Sequence, residues 1–243
     1  MAKTKRKGVF GPDLSFAASE SFKLLRVNID FCVPDEGKCR VIGINSSLRS
    51  EGKSTTSMNI AYMMAEIGRK VLLVEADMRL PSICEVLDIP RKEGLSNVLA
   101  GLVDFEKCIQ PSGVFDNFNV LAAGAIPPNP SELLGSKRMD ELVKKLKEDY
   151  DIIIFDMPPV NEVSDSLVMA RFLDGMLMVV RKDYCFREAL AEAMYQIELS
   201  NVNLIGFVMT RTTPGNKYAK KYGGKYYGRY GYGQGKSNST GQV

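Results

Sequence analysis

Residues 41–56 read VIGINSSLRSEGKSTT, and they are the most informative part of the chain for its fold. A short apolar strand, Val41–Asn45, leads into a polar loop, and the apolar pattern then predicts a helix over Lys53–Gly68. A loop between a strand and a helix N-terminus directs backbone N–H groups and a positive dipole end at one centre, which suits phosphate. The stretch therefore predicts a phosphate-binding loop.

The residue types in this loop fit a nucleotide triphosphate with Mg²⁺. Gly52 allows the backbone to approach phosphate closely, Lys53 reaches the β and γ oxygens, and the Ser54 hydroxyl joins the Mg²⁺ shell. The predicted ATP-binding residues are Ser50, Glu51, Gly52, Lys53, Ser54 and Thr55. The match to G-x-x-x-x-G-K-[ST] is partial, because Ser47 stands where the first glycine belongs. The alternative is a helix start that contains Gly-Lys-Ser by chance.

Further apolar runs alternate with helical patterns along the chain. This alternation predicts an α/β fold, a mostly parallel sheet flanked by helices in the manner of P-loop NTPases. The predicted strands after the loop are Val71–Glu75, Asn119–Ala122, Asp151–Phe155, Gly175–Arg181 and Leu204–Thr210. The predicted helices are Phe16–Phe31, Leu95–Leu102, one that Ser131 caps and that runs to about Asp149, Ser164–Phe172 and Phe186–Leu199.

Carboxylates follow two of these strands. Glu75 and Asp77 end the strand Val71–Glu75, and Asp156 ends Asp151–Phe155. In a doubly wound sheet the ligand lies beyond the carboxyl ends of the strands. Two residues apart, Glu75 and Asp77 project to the same side if strand geometry continues. A single such Asp is often a turn residue or a helix cap, but two acidic strand ends beside the loop favour a metal and nucleotide site.

Charge is unevenly distributed. Residues 217–243 hold six basic residues and no acid, so of the total net charge of +3 this end carries +6 and residues 1–216 carry −3. The chain has no histidine, which excludes histidine metal sites, Ser-His-Asp triads and histidine bases. No apolar run approaches the ~20 residues that span a bilayer. A cytoplasmic protein is expected.

The carboxyl-terminal end is rich in tyrosine. Aliphatic residues almost vanish after Pro214, while glycine, lysine, serine and asparagine dominate, a composition that predicts disorder. Six tyrosines lie in this segment, and their hydroxyls are candidate phosphoryl acceptors: Tyr218, Tyr222, Tyr226, Tyr227, Tyr230 and Tyr232. Beside a nucleotide loop, such a row indicates a kinase that phosphorylates its own end.

The motifs together resemble the bacterial tyrosine kinases of capsule and exopolysaccharide synthesis, which belong to the deviant-Walker P-loop ATPases. The resemblance covers residues 16–232. It includes EGKSTT (51–56), ADMRLPS (76–82), GLSNVLAG (94–101), IPPNPSELL (126–134) and DMPP (156–159), besides the tyrosine-rich end. It implies an ATP-dependent protein-tyrosine autokinase that regulates polysaccharide synthesis and chain length.

The resemblance also implies roles for the site residues. Lys53 and Ser54 bind ATP·Mg²⁺, Asp156 is the Walker B acid, and Asp77 serves the metal or the incoming tyrosine. The predicted catalytic residues are thus Lys53, Asp77, Glu75 and Asp156, and the metal ligands are Ser54, Asp77 and Asp156. Glu75 departs from the usual Asp of the family, and Thr210 stands where relatives often carry Asn near the base.

Partners follow from the same resemblance. It implies a ring of subunits, an octamer among its sizes, in which one active site takes a neighbour's tail. Glu20, Lys23 and Arg26 match the family's interface motif except that Lys23 replaces Arg, and a solvated helix face explains them equally well. A membrane-anchored activator or co-polymerase subunit would recruit the protein to the inner face of the membrane. A phosphotyrosine phosphatase is the remaining implied partner.

The resulting domain organisation is a flexible basic arm over residues 1–15, a P-loop kinase domain over 16–213 and a disordered tyrosine-rich tail over 214–243. The main alternative is a switch ATPase of the partitioning or division-site type. Those proteins carry a signature lysine near position 48, where this chain has Leu48. A second alternative is a tail that tethers nucleic acid or membrane, which leaves the phosphate loop unexplained; no specific nucleic acid is expected.

Overall fold

Seven strands form one sheet in the computed structural model, which describes residues 9–34 and 36–212. The strand order is β3-β4-β2-β5-β1-β6-β7. The strands are β1 Arg40–Ser46, β2 Val71–Glu75, β3 Ile109–Pro111, β4 Phe118–Leu121, β5 Ile152–Asp156, β6 Gly175–Arg181 and β7 Leu204–Thr210. All neighbours pair in parallel except β3 and β4, which are antiparallel. The predicted mostly parallel α/β fold is confirmed.

Helices cover both faces of this sheet. They are α1 Phe16–Cys32, α2 Lys53–Glu66, α3 Ile83–Leu87, α4 Leu95–Leu99, α5 Phe105–Cys108, α6 Pro130–Leu134, α7 Lys137–Asp149, α8 Asp165–Met169 and α9 Arg187–Leu199. Two 3₁₀ turns occupy Gly11–Asp13 and Ala170–Phe172. Because the central strands are buried on both faces, β2 and β5 are apolar up to their final carboxylate, and β1 is apolar from Val41 to Ile44.

The core has two layers, one on each side of the sheet. Alternate residues of β2 supply them: Leu72 and Val74 pack in one layer and Val71 and Leu73 in the other. The first layer includes α7 and the buried side of α9, and the second includes α1 and α2. This arrangement leaves the carboxyl ends of the parallel strands at one edge, where ligands bind in sheets of this type.

One predicted helix is wrong. The chain from Ser131 to Asp149 forms two helices, because α6 ends before Gly135 and Ser136 caps α7 by accepting a hydrogen bond from Met139 N. Ser131 is no cap: α6 begins at Pro130, and the Ser131 hydroxyl donates to Asp165. The short elements α3, α5 and β3 were not predicted, since three to five residues give no readable periodicity.

The amino-terminal boundary also differs from the prediction. Gly11 N donates to Asn59 Oδ1 (2.9 Å), Asn59 Nδ2 donates to Val9 O (2.8 Å), and Phe10 packs edge-on against Tyr62. Residues 9–15, predicted as part of a flexible arm, therefore lie against α2. Contacts divide the chain into two units, Met1–Thr210 and Arg211–Val243. The predicted tail falls in the second unit, and its residues 214–243 lie outside the described residues.

None of the helices in residues 9–34 and 36–212 combines the length and the apolar character needed to cross a bilayer.

Candidate active site

The phosphate loop joins β1 to α2, as predicted. Gly52 precedes the first residue of α2 with φ of 104°, a left-handed conformation that favours glycine. A Cβ there would also lie 3.3 Å from Thr210 Cγ2. Lys53 is buried, whereas Ser54 and Thr55 in the first turn of α2 are half-buried and Ser50 is exposed. The loop thus presents a helix N-terminus at the carboxyl edge of the sheet.

Glu51 holds this loop to the rest of the sheet. Its fully buried carboxylate accepts hydrogen bonds from Leu48 N (2.7 Å) and Arg181 N (3.2 Å). Its carbonyl accepts one from Thr210 Oγ1 (2.7 Å). Sequence reasoning placed Glu51 among the ATP-binding residues but missed Arg181 and this use of Thr210. No local pattern could reveal them, because they lie about 130 and 159 positions away in the chain.

A second contact fixes the tip of the loop. The Arg49 side chain forms an ion pair with Glu162, and Arg49 N donates to Glu162 Oε1 (3.1 Å). Glu162 lies in the loop that follows β5. The phosphate loop is therefore tied to the segment after Asp156, a link that the sequence did not predict.

Asp156 lies directly beside the phosphate loop. Strand pairing places β5 next to β1, with Asp156 opposite Ile44. Ser57 Oγ donates to Asp156 Oδ1 (3.0 Å), and the Ser54 hydroxyl also hydrogen-bonds this carboxyl. Burial raises the pKa of Asp156 to about 7, although Ser54 and the nearby Lys53 ammonium oppose that rise. Three predicted residues, Lys53, Ser54 and Asp156, thus meet at one point.

The acidic loop, defined here as residues 75–83 after β2, carries the other two predicted carboxylates. Glu75 is buried, and its Oε1 accepts from Ser82 N and from Ile83 N (2.7 Å) while its Oε2 accepts from Ala123 N (3.2 Å). Burial raises the pKa of Glu75, and these three backbone donors oppose the rise. Both carboxylate oxygens are therefore engaged by main chain.

Asp77 has a different environment from Glu75. Strand β2 ends at Glu75, so the strand geometry behind the same-side prediction does not continue to Asp77. Asp77 is half-buried, its Oδ1 accepts from Leu80 N (3.1 Å), and its own N–H donates to Asp156 O (3.1 Å). The main chain of Asp77 is thereby held against the end of β5, with a carboxylate that solvent reaches.

Arg79 anchors the middle of the acidic loop. Its guanidinium donates to both oxygens of the fully buried Asp165 at 3.0 and 3.2 Å. Ser131 Oγ donates to the same carboxylate. Charge-assisted, bidentate pairs of this kind fix geometry well. Sequence reasoning gave no role to Arg79 or Asp165, although ADMRLPS includes the arginine.

The predicted interface residues lie on α1. Lys23 Nζ pairs with Glu20 Oε1 (2.9 Å) on the helix surface, whereas Arg26 Nη1 donates to Met63 O (3.1 Å) on α2. Lys23 and Glu20 are thus near solvent, and Arg26 turns toward the protein. Their use in assembly stays a prediction. The six predicted acceptor tyrosines lie outside the described residues.

The donor set at this edge fits ATP with Mg²⁺. A buried lysine ammonium lies next to a helix N-terminus, and a serine hydroxyl and a buried carboxylate lie together at the same point. Mg²⁺ prefers oxygen ligands, a few from protein and the rest from phosphate and water. Lys53 would meet the phosphates, while Ser54 and Asp156, with Asp77 nearby, would hold the metal.

Comparisons with known proteins identify similar chains. A family model described as an AAA domain matches residues 39–202. The tyrosine-protein kinase YwqD of Bacillus subtilis (strain 168) is 35% identical over 210 residues, 86% of this chain and 86% of that protein.

Solved structures give the same picture. The kinase domain of the Escherichia coli tyrosine kinase ETK superposes with a TM-score of 0.78 at 30% identity, covering 88% of this chain and 85% of that one. The chimerical protein CapA2B2 superposes with a TM-score of 0.76 at 33% identity, covering 83% of this chain and 86% of that one. A septum site-determining protein MinD from Pyrococcus horikoshii superposes with a TM-score of 0.61 at 23% identity, covering 75% of this chain and 76% of that one. This similarity concerns the fold alone.

Proposed function

The chain belongs to the bacterial tyrosine-protein kinases, and we propose that it uses ATP to phosphorylate the tyrosine cluster Tyr218–Tyr232 at its own carboxyl-terminal end. The observation that carries this proposal is the convergence of Lys53, Ser54 and Asp156 beside the half-buried Asp77. A nucleotide held by the first three would present its terminal phosphate at the edge where Asp77 lies.

Binding follows from the loop and the buried acid. The N–H groups at the start of α2 and the Lys53 ammonium neutralise phosphate charge, and Ser54, Asp77 and Asp156 supply oxygen ligands to Mg²⁺. When bound, Mg²⁺ neutralises the charge that develops on the phosphate oxygens. Ser50, Glu51, Gly52 and Thr55 complete the ATP site, Glu51 by holding the loop in shape through Leu48 and Arg181.

The transfer step needs a base for the acceptor. Asp77 takes the proton of the tyrosine hydroxyl while the phenolic oxygen forms a bond to the γ-phosphorus and the bond to the β-γ bridging oxygen breaks. Phosphotyrosine and ADP result, and the proton leaves through Asp77. Most of the catalysis comes from positioning and charge neutralisation. Glu75, predicted as a partner in this step, serves here by holding the acidic loop, since its oxygens accept three backbone N–H groups.

Assembly and regulation extend this proposal. The acceptor tail comes from a neighbour within a ring, for which Glu20, Lys23 and Arg26 on α1 are the proposed contact residues and an octamer is the expected size. A membrane-anchored activator, or co-polymerase subunit, recruits the protein to the inner face of the membrane. A cognate phosphotyrosine phosphatase reverses the modification, and the cycle regulates capsular or exopolysaccharide synthesis and chain length.

Intact-mass spectrometry after incubation with ATP and Mg²⁺ tests the proposal, with Lys53→Met as the matched inactive variant. We expect added phosphates that map to Tyr218–Tyr232 in the parent and none in the variant. Since Lys53 is at the start of α2 and methionine keeps its length, circular dichroism should show an unchanged fold. ATP hydrolysis without phosphate on the tail would instead support a switch ATPase. Phosphotyrosine that persists in Lys53→Met would overturn the site assignment.

A further inference from the structure

A cavity of ≈ 360 Å³ lies between α4 and the segment that precedes and forms α6. Its apolar lining residues are Ala100, Leu102, Ala125, Pro127, Pro128 and Leu133. Asn97, Asn129 and Glu132 add polar atoms, with Asn129 Nδ2 donating to Glu132 Oε2 (3.2 Å). Leu102 is 73% exposed, so an apolar surface faces solvent here. Neither the phosphate loop nor the acidic loop lines this cavity.

One wall of the cavity is hydrogen-bonded to the start of the acidic loop. Ala123 N donates to Glu75 Oε2 (3.2 Å), and Ala123 O accepts from Ser96 N (2.9 Å). Ser96 Oγ in turn donates to Ala125 O (2.6 Å), and both residues line the cavity. A chain of hydrogen bonds therefore joins Glu75 to this wall.

The other wall is tied to the middle of the same loop. Arg79 pairs with Asp165, and Ser131 Oγ donates to that carboxylate. Ser131 stands between Asn129 and Leu133, which line the cavity. Because Glu75 and Arg79 flank Asp77 in the chain, both walls are fixed to the segment that carries the proposed base.

Strand order places the cavity and the nucleotide site on opposite sides of Asp77. The phosphate loop follows β1, Asp77 follows β2, and the cavity begins just after β4, in a sheet ordered β4-β2-β5-β1. A peptide that brings a hydroxyl to Asp77 cannot cross the proposed phosphate position. The β4 side, where the cavity opens, is the direction along the sheet that remains for its flanking residues.

We propose that this cavity is a subsite for a second aromatic ring of the acceptor peptide, supplied by the tyrosine cluster Tyr218–Tyr232 of a second copy of the chain. The proposal rests on the tyrosine-kinase function given above. Every tyrosine of the cluster has another within four positions, and an extended chain advances ~3.3 Å per residue. A ring with an apolar body and a polar tip suits apolar walls with polar groups at the edge.

The charge of the residues that line the cavity also suits the basic tyrosine-rich segment as its occupant. Among the described residues that line it, Glu132 is the only charged one. The tyrosine cluster is interspersed with basic residues and holds no acid. A phosphotyrosine, with about −1.5 to −2 charges, is disfavoured there by Glu132 and the apolar walls. The subsite thus favours tails that still carry an unmodified tyrosine beside the acceptor.

Two peptides of the segment 221–231 test the proposal. Both keep Tyr227 as the sole acceptor, and Tyr222, Tyr226 and Tyr230 are replaced by phenylalanine in one and by alanine in the other. The enzyme is the full chain whose six tail tyrosines are changed to alanine, so that its own tail does not compete. We expect the phenylalanine peptide to have a KM about tenfold lower, with similar kcat, and a correspondingly tighter Kd by fluorescence anisotropy.

A filled cavity should abolish this preference. Ala100 is exposed at the end of α4 with ordinary helical φ and ψ, so Ala100→Phe fills the space without disturbing the core. We expect this variant to treat the two peptides alike, with KM for ATP unchanged. Leu199→Phe, at a 66% exposed position of α9, is the matched control and should keep the preference.

The outcomes separate the two proposals. Equal Kd values for the two peptides with the unfilled enzyme, or a preference that survives Ala100→Phe, overturn the subsite. If the peptides bind with the expected difference but no phosphate is transferred, the subsite stands and the kinase function proposed for the tail fails.

Discussion

Asp156 ends β5 with its carboxyl buried between Ser57 and Ser54, next to Lys53. Removal from water disfavours the ionised form, and this cost exceeds what the hydroxyls and the ammonium return, so the pKa rises to about 7. A carboxylate in this state gains greatly from a cation. At the scale of the residue, a cation bound next to Asp156 would favour its ionised form and lower this pKa.

Replacing Asp156 by Asn should stabilise the protein free of nucleotide and metal at high pH. With a folded pKa of about 7 against 3.8 for the free group, the folded state binds more protons between these values, and stability falls as pH rises through that window. The loss is on the order of 4 kcal/mol by pH 8. We expect Asp156→Asn to melt higher than the parent at pH 8, and the difference to shrink by pH 5.

Thermal melts at both pH values, without ATP and Mg²⁺, check this prediction. Asp183→Asn, at a side chain that is 85% exposed, is the control and should follow the parent. Equal melting temperatures of the parent and Asp156→Asn at pH 8 would show that the buried carboxyl carries no such cost.

At the scale of the element, the acidic loop is a short connection held at three points. Glu75 accepts hydrogen bonds from the amides of Ser82 and Ile83 at the far end of the loop, and Arg79 pairs with Asp165 at the start of α8. Glutamate suits this position because its two oxygens reach both the end of its own loop and Ala123 after β4. Glu75 therefore holds the acidic loop closed between its two ends and links it to the chain after β4.

Glu75→Gln and Asp77→Asn should therefore differ in effect. The glutamine carbonyl still accepts from Ser82 and Ile83, while its amide faces Ala123 N–H, at a cost of about 1–3 kcal/mol for the unmet donor. We expect less than a tenfold loss of autophosphorylation rate. Asp77→Asn removes the proposed base and should lose about 10² or more.

Amide hydrogen exchange tests independently whether Glu75 holds the amides of Ser82 and Ile83. Ser82 and Ile83 should exchange slowly in the parent and faster in Glu75→Ala. Glu75→Gln could instead be as inactive as Asp77→Asn while the amides of Ser82 and Ile83 stay protected from exchange. That result would show that Glu75 takes part in the chemical step and does not merely position the loop.

At the scale of the whole molecule, charge separates the basic tyrosine-rich end from a body of net −3. Six phosphotyrosines add roughly −9 to −12 charges, which reverses the local +6. The proposed attraction between one copy's tail and another's body would then become repulsion. Phosphorylation should for this reason disfavour assembly.

Size-exclusion chromatography with light scattering, before and after ATP and Mg²⁺, measures the effect. We expect the unmodified protein to elute as the larger species and the phosphorylated one as the smaller. A chain with all six tyrosines changed to phenylalanine separates tail charge from nucleotide binding and should not respond. An unchanged mass of the parent after full phosphorylation would count against the mechanism.

The sequence by itself determined the elements that long periodic segments encode. Local patterns predict the strand, loop and helix around Lys53 and the two strands that end in carboxylates. They do so because a buried parallel strand and a helix N-terminus each impose a recognisable pattern on the sequence. The fold class and the kinase family are confirmed, while the roles of the individual site residues stay predictions. The helix break at Gly135 and Ser136 is also encoded locally, because Gly135 follows the end of α6 and Ser136 caps α7.

Only the tertiary structure decided what these residues contact. Glu51 meets Arg181 and Thr210, Glu75 meets Ala123, and Arg79 meets Asp165, across separations of 48 to 159 positions. Strand order brings the chain after β1, β2, β4 and β5 to one edge, and the cavity forms there between α4 and the chain that follows β4. Sequence periodicity shows which face of a helix or strand is buried. The hydrogen-bond donors of a buried carboxylate can come from any part of the chain that packs against it, so they depend on the fold as a whole.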